Sequence, residues 1–479
     1  MPTGHRSEQN ATRALLVIVV AGALLRAVVA WLTIDIPGDG PTRAIYAYRW
    51  SLSPELIRSG IWLPALTYLA GALNILIPDP LTVPSLINVT LGSASIPLLY
   101  AVTRRMHGAV VGLAAAALLA ILPLHVGLST SSLSEAGFVF AMLGVLWSAF
   151  GAAERNGSKW CLALLAFFGV FGEMLRYEAW VLLPIVVAYV AHQRRSFPAA
   201  LGLTAILLCF PVFWSLGNYA KSGDALLGFT SAITDPNTMD PVPPHVAALL
   251  IGRGARRQLG DLAPVILVLG VLHAAVAVAR RKARPEQVLH FALVAMAWAM
   301  LSSLAMRMGS HLWGRYLILA IVLALPLATG WMRSLVPGWR SVAGLAALCV
   351  LSFAFAQVAY HPNLFVTRHH PVEIQELATW LAGSEYRDDA IVLTRLGWRS
   401  GFVKLYRPAL LDRSLVVSNY LSDEGLRNFL RSRRPTLLVT GPGDDVPRER
   451  VERALGTAVT NKQPVKTIRD LVVFDIRPK

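Results

Sequence analysis

Long blocks without charge dominate the chain as far as Tyr360; beyond it, polar and apolar positions alternate over short distances. A block of about 20 apolar residues is the length an α-helix needs to cross the hydrocarbon core of a bilayer, where no water satisfies exposed backbone groups. Eleven blocks predict spanning helices, over residues 14–34, 81–102, 109–128, 136–153, 160–172, 179–191, 197–216, 262–279, 288–306, 316–332 and 342–360. The fifth and sixth are short and fit tilted partners in a bundle. The predicted fold class is an all-α polytopic membrane bundle with outer-face juxtamembrane helices (residues 1–360) and a small C-terminal α/β domain (residues 361–479). In that domain, helices are expected over 372–381 and 424–431 and before Leu455, with strands over 389–394, 436–440 and 471–476.

Composition sharpens this picture. Charged residues are 15% of the chain, against about a quarter in soluble domains. The net charge of +16 would suggest a nucleic-acid partner in a soluble protein. In a membrane protein it follows from lysines and arginines collecting on cytoplasmic loops. Arg6 and Arg13 precede the first block, and Arg104 and Arg105 follow the second. Arg155 and Lys159 follow the fourth, Arg194 and Arg195 the sixth, Arg280, Arg281, Lys282 and Arg284 the eighth, and Arg333 and Arg340 the tenth. All fall on one side if the N-terminus is cytoplasmic, which puts the C-terminal domain outside and the protein in the cell (inner, cytoplasmic) membrane. Residues 61–77 are apolar, but counting them as a span would reverse every later loop. They are expected to lie along the outer face with Trp62 and Tyr68 at headgroup level. The first block has no small-residue cleavage site after it and reads as a retained helix. Cys161, Cys209 and Cys349 sit in apolar blocks and form no disulfide framework or zinc spacing.

The expected outer loops carry both signs of charge. The first holds Asp35, Asp39, Arg43, Arg49, Glu55 and Arg58; Glu135 opens the fourth span; Glu173, Arg176 and Glu178 crowd the next loop; Arg253, Arg256 and Arg257 form a basic run in a long one; Arg307, His311 and Arg315 occupy the last. Outward arginines oppose the positive-inside trend. A phosphate at the membrane surface accounts for them, because guanidinium groups bind its oxygens in a fork. A carboxylate beside several arginines at the lipid–water boundary suits one reaction: the carboxylate deprotonates a hydroxyl, and the arginines stabilise a departing lipid phosphate.

These residues resemble the polyprenyl-phosphate-dependent glycosyltransferases of the membrane-embedded C superfamily, particularly glycosyltransferase family 39, with its dolichyl-phosphate-mannose–protein mannosyltransferases and the bacterial lipid A aminoarabinose transferases. The likeness rests on Pro37-Gly38-Asp39-Gly40-Pro41-Thr42-Arg43 with Tyr46 and Tyr48, the stretch from Gly60 to Tyr68, Ser134-Glu135-Ala136, Leu175-Arg176-Tyr177-Glu178 and Gly314-Arg315-Tyr316. The resemblance implies Asp39 as catalytic base and a donor site drawn from Arg43, Tyr46, Glu135, Arg176, Glu178, Arg307, Arg315 and Tyr316. It implies a polyprenyl-phosphate sugar as donor, and a protein, lipid or glycan as acceptor. Two features depart from the family pattern. Gly40 stands where an Asp-Glu pair is common, and Trp62 and Leu63 supply no basic or metal-binding side chain. No metal ligand is assigned, and a divalent cation stays open as a cofactor. No Trp-Trp-Asp motif is present, which argues against an oligosaccharyltransferase.

Each residue has a plainer reading. Asp39 between two glycines suits an Asx turn; Ser134-Glu135 suits an ordinary helix start; Arg176 and Glu178 suit a local ion pair; Arg307 and Arg315 suit snorkelling side chains. At the level of the whole protein, the rivals to an enzyme are a flippase or transporter for lipid-linked sugars, which would carry charges through the membrane midplane, and a non-catalytic membrane scaffold. Arg26 is the nearest approach to a midplane charge.

Overall fold

The structure, a computed structural model, describes residues 3–32, 39–154, 158–234, 240–312, 314–335, 344, 347–354, 372–394, 400–417, 421–441, 445–456 and 462–477. Helices α1 (Thr3–Leu32), α2 (Asp39–Leu52), α3 (Ala65–Leu76), α4 (Val83–His107), α5 (Ala109–Ile121), α6 (Pro123–Ser129), α7 (Glu135–Ala152), α8 (Lys159–Glu173), α9 (Glu178–Arg194) and α10 (Phe197–Ser222) build the first half of the bundle. Helices α11 (Leu227–Thr234), α12 (Pro244–Leu259), α13 (Leu262–Ala279), α14 (Pro285–Met308) and α15 (Ile318–Leu335) continue it, with a 3₁₀ turn at Gly314–Leu317 leading into α15.

Among the described residues, seven helices are long and apolar enough to cross a membrane, and the bent pair α5–α6 makes an eighth if it counts as one span. The protein is a multi-pass membrane protein. The eleven expected spans are met in part. α8 and α9, at 15 and 17 residues, rise only about 22–26 Å against a core of about 30 Å. The eleventh block, 342–360, lies largely outside the described residues. The block expected to span over 109–128 is bent: it breaks at Leu122 and turns by 60°, because Pro123 supplies no N–H to continue the α5 ladder. α3, at 12 residues, is too short to span and packs against α2.

α7 and α15 form the centre, with 83% and 78% of their apolar windows buried, whereas α1 shows 17%. The outward faces of α1 and α10 present Leu16, Val17, Leu24, Leu201, Leu208 and Leu216, which suits contact with lipid. At one end of the bundle the basic clusters meet. Arg104 pairs with Glu8, Arg105 with Glu154 and Glu286, Arg333 donates to the His107 carbonyl and Arg194 to that of Ala152. The N-terminus and the loop ends that the charge rule assigned to one side thus gather on one side.

The C-terminal domain adds α16 (Val372–Gly383), β1 (Ile391–Leu393), α17 (Ser400–Tyr406), β2 (Ser414–Val416), α18 (Asp423–Arg433), β3 (Leu437–Thr440), α19 (Asp445–Leu455), β4 (Lys466–Ile468) and β5 (Leu471–Asp475). The sheet order is β2-β1-β3-β5-β4, parallel through β2-β1-β3 and antiparallel beyond. Strand alternation splits the core. Ile391, Leu393, Leu437 and Val439 face α16 and α17, while Val392 and Leu438 face the layer with Leu426 and Val451. The expected strands and helices are present; α17, β2 and β4 are additions too short or too polar to stand out in the sequence.

This domain seats on α2. Ala44 is 1% exposed and belongs to the domain's own apolar cluster. Arg49 Nη2 donates to the Leu411 carbonyl at 3.0 Å and to Asp412 at 3.1 Å.

Candidate active site

Three acids open three helices at the end of the bundle opposite the basic clusters: Asp39 begins α2, Glu135 begins α7 and Glu178 begins α9. The unsatisfied N–H groups and positive dipole of a helix start favour a carboxylate there. Arg176 sits in the turn before α9, and Arg315 in the 3₁₀ turn before α15. Because these starts converge, charges far apart in sequence form one chain of ion pairs. Arg315 Nη2 lies 2.9 Å from Asp39 Oδ2, and its Nε 3.7 Å from Glu135 Oε1. Arg176 Nη1 lies 2.8 Å from Glu135 Oε1, and its Nη2 2.6 Å from Glu178 Oε1. Tyr316 lies beneath both guanidinium groups, 5.2 Å from Arg315 and 5.8 Å from Arg176.

Burial separates the roles. The Glu135 side chain is 3% exposed and Arg315 14%, while Asp39 remains 36% exposed. Glu135 Oε2 is buried without a hydrogen-bond partner among the described residues. Burial by itself would lower the Arg176 pKa; the carboxylates of Glu178 and Glu135 more than reverse this and raise it. Arg43, one turn into α2, is lowered by burial, with Glu135 and Asp39 opposing and Arg176 and Arg315 adding to the effect.

Arg43 forms no hydrogen bond or ion pair among the described residues; its guanidinium lies over the Trp62 ring at 5.1 Å. Tyr46 braces the other side of that ring edge-on at 5.5 Å. Arg43 also lines a small cleft with Thr67, Ser132 and Leu66. Among the described residues, no carboxylate forms an ion pair with Arg43, although Glu135 and Asp39 act on its charge from a distance.

Of the residues singled out in the sequence, Asp39, Glu135, Arg176, Glu178, Arg315 and Tyr316 come together, with Arg43 and Tyr46 at their edge. Arg307 stands apart: it is exposed at the end of α14, and its side chain joins none of these pairs. Arg253, Arg256 and Arg257 lie on the exposed face of α12, where Arg256 pairs with Asp261. Asp35, Pro37 and Gly38 fall outside the described residues, as does the His311 side chain. Trp62, expected at headgroup level, is the platform for Arg43, a contact with no periodic signal. Tyr68 likewise bonds the Ile57 backbone and packs on Trp50. Among the described residues no group of three or more His, Cys, Asp or Glu is placed to hold a metal ion, and the site's acids face guanidinium groups.

The architecture is similar to that of several solved membrane proteins, glycosyltransferases among them. The structure is similar to ArnT from Cupriavidus metallidurans, in the apo state, at TM-score 0.67 and 12% identity over 98% of each chain. It is similar to the oligosaccharyltransferase AglB of Archaeoglobus fulgidus at TM-score 0.59 and 12% identity, over 91% of this chain and 70% of that one. The arabinofuranosyltransferase AftD from Mycobacteria aligns at TM-score 0.53 and 16% identity, over 98% of this chain and 40% of its own. Within that fold, residues 63–216 match the family model described as dolichyl-phosphate-mannose-protein mannosyltransferase, the group to which the loop motifs pointed. No curated protein sequence matches the chain.

Proposed function

We propose that the protein is a membrane glycosyltransferase that moves a sugar from a polyprenyl-phosphate carrier to an acceptor hydroxyl on the extracytoplasmic face. The observation that carries this reading is the meeting of Asp39 and Arg315 beside Arg43, which forms no ion pair among the described residues. ArnT has also been described bound to undecaprenyl phosphate, and the shared fold supports a lipid phosphate as the ligand here.

Asp39, Glu135 and Glu178 balance Arg43, Arg176 and Arg315 in charge. A donor phosphodiester brings one negative charge more, and Arg43 and Arg315 are placed to receive it. Drawing Arg315 toward phosphate releases the Asp39 carboxylate. Asp39 then takes the acceptor hydroxyl proton as the acceptor oxygen bonds to the anomeric carbon. The carbon–oxygen bond to phosphate breaks, and its electron pair leaves on the lipid phosphate, where a second charge develops against the arginines. Attack opposite the leaving group inverts the anomeric centre. Glu135 and Glu178 hold Arg176 and Arg315 in place, so the stabilising charges need not reorganise during the reaction. Arg26, the nearest approach to the midplane charge that a flippase would need, is bound to backbone carbonyls.

The test is to incubate the purified protein with a panel of polyprenyl-phosphate sugars and measure release of the lipid phosphate. Release from one donor, dependent on an added acceptor, is expected. Translocation of an intact lipid-linked sugar without cleavage would overturn the reading.

A further inference from the structure

We infer that Arg26, buried within the bundle on α1, is a positioning residue that clamps the break between α5 and α6 and thereby fixes Glu135. The inference rests on the reading of Glu135 given above. An arginine inside a spanning segment is costly to keep and needs a reason. Here the side chain is fully buried and, among the described residues, no carboxylate pairs with it. It is instead spent on backbone. Nη1 donates to the carbonyls of Gly22 at 2.8 Å and Ala120 at 2.9 Å; Nη2 donates to the Leu119 carbonyl at 3.1 Å and to His125 Nδ1 at 2.8 Å.

The reason lies in the break. α5 ends at Ile121, and the chain turns by 60° into α6. The last-turn carbonyls of α5 therefore lose the N–H groups that a continuing helix would supply, at a depth where water cannot replace them. A guanidinium satisfies several at once, and its charge suits the negative end of a helix. Donation into His125 Nδ1 also fixes that ring, with its proton on Nε2. From His125 the order passes on. Ser129 Oγ donates to the His125 carbonyl at 2.6 Å. Asn88 Nδ2 holds the carbonyls of Ser131 at 2.5 Å and Leu133 at 2.8 Å. The turn from Ser129 to Ser134 is buried throughout and ends at Glu135. A Cβ on Gly92 would collide with Ser129 and touch Arg26 Nε, so α4 approaches this closely only with glycine there.

Lysine keeps the charge but cannot span three carbonyls and a ring with one ammonium. Arg26→Lys, reconstituted in liposomes and monodisperse on extraction, is expected to lower kcat/KM for the donor at least tenfold with the acceptor KM unchanged. In a Glu135→Gln background the same substitution is expected to have little further effect, since coupled residues are non-additive. Equal losses in both backgrounds would overturn the inference. A second measurement needs no turnover. In a chain whose three native cysteines are replaced by alanine, Ser132→Cys is expected to react faster with a thiol reagent when Arg26 is lysine. Faster labelling supports the clamp even if no polyprenyl-phosphate sugar proves to be a donor; an unchanged rate removes it whatever the reaction.

Discussion

Arg315 reaches back across 276 residues to place its guanidinium 2.9 Å from the carboxylate of Asp39. The pair joins the start of α2 to the start of α15, and through Glu135 it continues to Arg176. Neither residue is buried as deeply as Glu135, so the bond is open to exchange with an incoming anion.

Asp39→Asn removes the proton acceptor but keeps the shape. Transfer is expected to fall by about 10²–10⁴-fold with the extracted protein eluting unchanged by size exclusion. Lipid-phosphate release near the wild-type rate would remove Asp39 as the base.

Arg43 and Arg176 are expected to separate binding from stability. Among the described residues Arg43 forms no ion pair, so Arg43→Gln should raise the donor KM by tenfold or more with little change in thermal stability. Arg176→Gln leaves Glu135 buried with a weakened partner set, a loss on the order of 3–5 kcal/mol, and a clear fall in melting temperature is expected. The reverse pattern, with Arg43 needed for folding and Arg176 dispensable, would contradict the charge inventory.

Arg307→Ala should change the donor KM less than twofold, because its side chain is exposed and joins none of the ion pairs described above. Steady-state kinetics beside Arg315→Ala give the comparison, and a similar loss in both would bring Arg307 into the site.

The seating of the C-terminal domain on α2 predicts a link between that domain and Asp39. Arg49→Ala cuts an exposed pair worth about 0–1 kcal/mol and should be mild. Ala44→Asp puts a charge into the shared apolar cluster and is expected to loosen the domain, read as faster release by limited proteolysis together with lost transfer. Intact transfer from a chain whose domain has been released would show that α2 holds Asp39 unaided.

Orientation is open to a direct check. In a cysteine-free chain, Leu52→Cys is expected to react with an impermeant thiol reagent in intact cells, and Glu8→Cys only after permeabilisation. The opposite result would invert the topology.

The uncharged blocks by themselves determined that this is a membrane bundle, because hydrocarbon leaves a helix no choice but to satisfy its own backbone. The bias of lysine and arginine sorted the loops into two sets, and the described basic helix ends meet on one side of the bundle. The alternation beyond Tyr360 marked the strands of the small domain. The sequence could name Asp39, Glu135, Arg176 and Arg315, since charges beside apolar helices are few. It could not pair them. Which carboxylate meets which guanidinium depends on how α2, α7, α9 and α15 end relative to one another, a matter of packing between helices hundreds of residues apart. The platform of Trp62 under Arg43, the bend at Leu122 and the arginine that clamps it were likewise decided only in three dimensions, where each contact joins segments that no local periodicity connects.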